Sequence, residues 1–148
     1  MPLAEMMAKI SAAGFDGVDI VYGDYPQSDL SMNLQQNKLA STVTAFPDSI
    51  DALKPALELA VALNSRHLNI IGAVYPFSIE EGAEFVRGWL GLCRQAEMPV
   101  TIETHRDCIT TDLLYTLQLM EAVPEMDLCA DLSHFVVGRE FKWPITPL

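Results

Sequence analysis

Basic residues are scarce in this chain. Nine lysines and arginines stand against 20 aspartates and glutamates in 148 residues, a formal net charge of −11. That surface repels phosphate backbones and anionic membranes, so neither a nucleic-acid nor a membrane partner is expected. Long apolar runs are also missing: nothing approaches the roughly 18 residues of a membrane span. Met1-Pro-Leu-Ala-Glu5 has no basic n-region, so no signal peptide is expected. Cysteine is sparse. Cys93, Cys108 and Cys129 are odd in number and lack metal-type spacing, and are expected to be small buried apolar side chains in a reducing compartment. These absences together predict a cytoplasmic protein. No glycine-rich phosphate loop follows an apolar run, and no G-x-S-x-G elbow occurs. Ser133 and His134 are adjacent, too close in sequence to form a nucleophile–base pair on a strand.

Half of the residues are hydrophobic, enough for one domain with a true core. Leu3, Met6, Ile10 and Ala13 share one helical face over residues 2–13, and Gly14 is a stop signal. A strand is predicted over Gly17–Tyr22, weak helix over 28–39, and a strand over Thr42–Phe46. Ile50, Leu53, Leu57, Ala60 and Val61 mark the next helix, with Pro55 arguing for a start later than Ile50. His67–Gly72 is the third strand. Ser78 and Glu81 are spaced as a capping box for a helix through Ile79, Ala83, Val86, Leu90 and Cys93. Pro99–Thr104, a helix from Thr111 to about Ala122, and Leu128–Ala130 follow. The tail, Phe141–Pro147, shows no period.

Strand then helix, repeated, predicts parallel βαβ units with a strand end every 25 to 30 residues or so. The strands read as apolar on both faces, as in a sheet covered by helices. Two α/β architectures accept this pattern, an open doubly wound sheet and a (β/α)8 barrel. The open sheet would fit 148 residues as a complete domain; a complete barrel takes about 250 residues, of which residues 1–148 would form a single partial-barrel domain.

Two strand ends carry the chemistry. Pro99-Val-Thr-Ile-Glu-Thr-His-Arg106 and Leu128-Cys-Ala-Asp-Leu-Ser-His134 are apolar runs that finish in acid and imidazole. Desolvating a carboxylate costs several kcal/mol unless something pairs with it. Ligands of parallel α/β folds sit at the carboxyl ends of the strands, which is where Glu103 and Asp131 fall. Two neighbouring carboxylates repel unless a cation lies between them. Oxygen ligands suit magnesium or manganese, and added imidazole suits zinc, cobalt or iron. The structural alternative is that each acid caps the following helix or pairs with Arg106 or Arg139. Glu103 and His105 should share a face. His134 is a further ligand, a group that reaches substrate, or a satisfied structural histidine. His67, at the start of its strand, reads as structural. Tyr75-Pro76-Phe77 is either a pocket wall or loop packing.

Ala13-Gly-Phe-Asp-Gly-Val-Asp19, Ile102-Glu-Thr-His-Arg106 and Asp131-Leu-Ser-His134 together resemble the xylose isomerase-like TIM-barrel superfamily, over residues 2 to 140 or so. That superfamily includes sugar and sugar-phosphate isomerases and epimerases, inosose dehydratases and apurinic endonucleases. The resemblance implies that Glu103 and Asp131 bind a divalent metal (manganese, magnesium, zinc or cobalt), with Glu103 and His134 as catalytic residues. It implies that His134, His105 and Arg106 meet substrate, Arg106 at a phosphate or carboxylate. The implied reaction is metal-assisted proton transfer beside the carbonyl of a small polyhydroxy compound or sugar phosphate. The alternatives are a metal-dependent dehydratase or lyase, or a non-catalytic remnant that binds metal or a partner. On this alignment the family's first, seventh and eighth strands are missing, and with them a metal-binding His and a second Glu. Whether the chain is an enzyme is therefore left open, with weak metal binding and little turnover expected. Two open sheet edges imply a homo-oligomer, with Phe135, Val136 and Val137 adding apolar surface beside the last strand.

Overall fold

The computed structural model describes residues 1–138; Arg139 and the tail Phe141–Pro147 lie outside the described residues. The elements run α1 (Leu3–Ala12), β1 (Gly17–Val21), α2 (Gln27–Asn37), β2 (Ala40–Ala45), a 3₁₀ turn (Asp51–Leu53), α3 (Lys54–Ala62), β3 (Leu68–Ile70), α4 (Ile79–Gln95), β4 (Val100–Glu103), α5 (Leu113–Ala122), β5 (Leu128–Cys129) and α6 (Ser133–Gly138). All five strands are parallel and lie side by side in chain order, β1-β2-β3-β4-β5. A doubly wound sheet reverses its order at a switch point. This sheet does not, so it is wound as a barrel is. The edges among the described residues are β1 and β5.

Local chemistry explains the boundaries. Gly14 follows α1 at φ +85°, a conformation that costs glycine nothing and an L side chain about 1–2 kcal/mol. Pro55 sits in the first turn of α3, where its missing N–H loses no bond, and the turn before it is 3₁₀. The Ser78 hydroxyl accepts from the Glu81 N–H at 3.2 Å, as the capping box requires. The Glu81 carboxylate reaches back to the Phe77 N–H at 2.8 Å, one residue earlier than the usual partner. Asp112 caps α5, accepting from the Tyr115 N–H at 2.9 Å.

The two faces of the sheet differ, which corrects the expectation of strands apolar on both faces. The strand register sets Val18, Ile20, Val43, Ala45, Leu68, Ile70, Val100, Ile102 and Leu128 on one face. That face packs under the helices with Leu57, Ala60, Val86, Trp89 and Leu119. Trp89 is fully buried, and its indole N–H donates to the Ser49 carbonyl at 3.0 Å. Gly72 is held by this packing, since a Cβ there would meet the Trp89 ring at 2.5 Å. A smaller cluster, Met7, Ile20, Leu30 and Leu34, seats α1 and α2 on β1. The other face carries Asp19, Thr42, Thr44, Asn69, Thr101 and Glu103. In a closed barrel this is the inward side.

Smaller corrections follow from the same packing. Ala13 and Val61 are exposed, because each stands at the rim of its helix stripe. Cys93 and Cys108 are buried free thiols, but Cys129 is exposed on edge strand β5. Phe135 is buried because α6 turns it inward, whereas Val137 stays exposed. Among the described residues no helix is long and apolar enough to cross a membrane.

Candidate metal centre

Glu103 is the last residue of β4 and Cys129 is its partner on β5. Asp131 lies two residues beyond Cys129, so the pleat returns it toward the same side as Glu103. The short helix α6 then lifts His134 back over both. One ligand atom each from Glu103, Asp131 and His134 lies within 4.8 Å of the others. These are the two acids and one of the two histidines marked by the sequence pattern.

The structural alternatives divide the two acids. Glu103 does not cap α5, because Asp112 does. Glu103 accepts instead from the Asn69 side-chain N–H on the neighbouring strand. Asp131 does have a local role. Its Oδ1 accepts from the Ser133 N–H at 3.0 Å and the Ser133 hydroxyl at 2.6 Å. Those hydrogen bonds hold the Asp131 carboxyl below the usual range, helped by the nearby imidazoles and opposed by slight desolvation. Its Oδ2 is left facing His134 Nε2 at 3.5 Å.

His134 Nδ1 is buried and finds no hydrogen-bond partner among the described residues. A buried imidazole nitrogen without a partner is costly unless a ligand satisfies it. The two carboxylates and one nitrogen of this imidazole fit a divalent cation with mixed oxygen and nitrogen ligands.

His105 stands against the same group. Its ring centroid lies 4.0 Å from that of His134 and 6.2 Å from Phe46, which meets it edge-on. His105 Nδ1 lies 2.5 Å from the Arg106 carbonyl, which can only accept, so Nδ1 carries a proton. When the ring is neutral, Nε2 therefore presents its lone pair. The loop is fixed from below: the Thr110 hydroxyl donates to the Glu103 carbonyl at 2.7 Å and accepts from the His105 N–H at 3.1 Å. The Arg106 side chain is exposed and joins none of the ion pairs found among the described residues. His67 lies at the amino end of β3, away from this rim. Tyr75 and Phe77 are exposed. The Tyr75 hydroxyl donates to the Asp107 carbonyl at 2.7 Å, and Tyr75 and Pro76 wall a cleft with Cys108, Ile109 and Tyr115 that does not include the Glu103–Asp131–His134 group.

The sequence reading missed Asp19, Thr42, Thr44, Asn69 and Thr101. Thr42 and Thr44 donate to the two oxygens of Asp19 at 2.6 and 2.8 Å, and Thr101 donates to Asn69 Oδ1 at 2.9 Å. Their signal was available: polar residues recur at period two, Asp19 between Val18 and Ile20, Thr42 and Thr44 around Val43, Asn69 between Leu68 and Ile70, and Thr101 between Val100 and Ile102.

No family model and no curated protein matches the chain. Solved structures do. The probable 3-DHS dehydratase AsbF from Bacillus anthracis, involved in petrobactin synthesis, is 19% identical with a TM-score of 0.70 over 94% of this chain and 61% of its own. D-allulose 3-epimerase from Methylomonas sp. is 16% identical with a TM-score of 0.70, over 90% and 58%. Protein SMc04130 from Sinorhizobium meliloti 1021 is 15% identical with a TM-score of 0.72, over 90% and 59%. The chain therefore shares the α/β fold of these TIM-barrel structures, as five consecutive parallel strands with their helices. It spans about three-fifths of the length of the structures it matches.

Proposed function

We propose that this chain carries the metal-binding part of an isomerase- or epimerase-like site for a small polyhydroxy carbonyl compound or sugar phosphate. The observation that carries the reading is the convergence of Glu103, Asp131 and His134 from two consecutive strand ends, one ligand atom of each within 4.8 Å of the others. The likeness to a probable dehydratase and to an epimerase supports it. Glu103, Asp131 and His134 would hold manganese, magnesium, zinc or cobalt, and the bound ion would polarise a substrate carbonyl. His105, with its Nδ1 proton committed to the Arg106 carbonyl, offers Nε2 to a substrate proton. Arg106, exposed at the mouth, meets a phosphate or carboxylate. A dehydratase or lyase would use the same residues.

Manganese titration of the metal-free protein tests the ligand set. Glu103→Gln and Asp131→Asn are each expected to weaken binding at least tenfold. Unchanged affinity in both variants would refute shared ligation.

The net charge of −11 and the sparse cysteines support a cytoplasmic protein without a nucleic-acid or membrane partner, and we propose that it is a homo-oligomer. The edges β1 and β5, unpaired among the described residues, and the exposed Phe15, Leu132 and Val137 favour association. Light scattering over a concentration series should show species above 16.3 kDa. A monodisperse monomer well above micromolar would sink the oligomer.

A further inference from the structure

Asn69 lies in the middle of β3, 6% exposed, on the polar face of the sheet. An asparagine buried in a parallel strand is costly unless both ends of its amide are satisfied. Here they are, and the chemistry of the neighbours fixes the direction of each bond. An ionised Glu103 carboxylate can only accept, so the Asn69 NH₂ must face it. Oδ1 is then turned to Thr101, whose hydroxyl donates at 2.9 Å. The second Asn69 N–H points to Thr44 Oγ1 at 3.4 Å, and Thr44 gives its own proton to Asp19 Oδ2 at 2.8 Å. Donors and acceptors thus run without conflict from Asp19 on β1, through β2 and β3, to Glu103 on β4.

We infer that Asn69 is a positioning residue: held by Thr101, it ties down Glu103 Oε2 and so orients the carboxylate toward Asp131 and His134. The inference rests on the proposed metal reading and extends it to a residue that does not itself join the ligand group. With both amide ends occupied, Asn69 acts only through Glu103. Groups that orient a metal ligand typically contribute about 10- to 100-fold in metal affinity.

The test is manganese affinity in a double-mutant cycle, with urea unfolding run on every protein. Asn69→Ala is expected to weaken manganese binding about 10- to 100-fold. In the Glu103→Gln background the same change should alter the remaining affinity less than about twofold, because its route to the metal is gone. Thr101→Val keeps the side-chain shape but releases the amide, and should weaken binding about 2- to 10-fold; it decides the matter if Asn69→Ala does not fold. A purely structural asparagine would lower the unfolding midpoint in both backgrounds and leave the affinity of the folded protein alone. If Glu103→Gln loses affinity while Asn69→Ala and Thr101→Val keep it, the inference is overturned and the metal reading stands. If Glu103→Gln also binds normally, both fall.

Discussion

The two faces of one five-stranded sheet do different work. On one, Leu68, Ile70 and Ile102 are fully buried under α3, α4 and α5. On the other, the same strands present Asp19, Thr42, Thr44, Asn69, Thr101 and Glu103, joined by hydrogen bonds that cross from β1 to β4. Successive residues of a strand point to opposite sides, so Asn69 and Ile70 serve different ends although they are neighbours in the chain. The apolar face gains its free energy from area removed from water. The polar face gains little net stability, since its bonds largely replace bonds to water. Its contribution is direction, which a ligand site needs and a core does not.

That contrast can be broken first from the apolar side. Ile102→Ala removes a fully buried side chain beside Glu103 in sequence but on the opposite face. A loss of about 2–5 kcal/mol is expected in urea unfolding, with manganese affinity of the folded fraction unchanged. A variant that stayed stable and lost metal would mean the faces are not separate.

Thiol labelling sharpens the comparison. Burial pushes the Cys93 thiol up to about 11. Cys108 is also raised, chiefly by burial. Cys129 is raised by partial desolvation, then by Glu103, Asp131 and Asp19, yet it is exposed on the polar side. A raised thiol holds less thiolate at a given pH, and the thiolate is the reactive form. At pH 8 a thiol reagent should modify one cysteine per folded chain, Cys129, and all three after unfolding. Fast native modification of Cys93 would show that the helix-covered face opens.

The smallest effect belongs to Thr42→Val. Thr42 is only partly buried and its hydroxyl donates to an exposed Asp19 oxygen. Stability should move by no more than about 0.5 kcal/mol, checked by the same unfolding curves.

Much of this arrangement was legible in the amino-acid order. Glycine, proline and the capping box marked where elements stop and start, and apolar runs at regular spacing gave the parallel units. Glu103, His105, Asp131 and His134 stood out because acid and imidazole end apolar strands. The alternation within the strands was harder to see. Threonine has high β propensity and carries a methyl group, so Thr42, Thr44 and Thr101 blended into the apolar pattern, and Asn69 stood alone. Only the register across β1 to β4 joins them into a line. The six-residue helix α6 was missed because one and a half turns are too short to show a period. It was Asp131, bonded to Ser133, that opened it.

The central claim is that two strand ends and α6 make one cation site. Anomalous diffraction from crystals grown with manganese tests it most directly. The account requires a peak bounded by Glu103, Asp131 and His134, with Asn69 still holding the far oxygen of Glu103. Saturating manganese with no peak there, or a peak held by other residues, would contradict it.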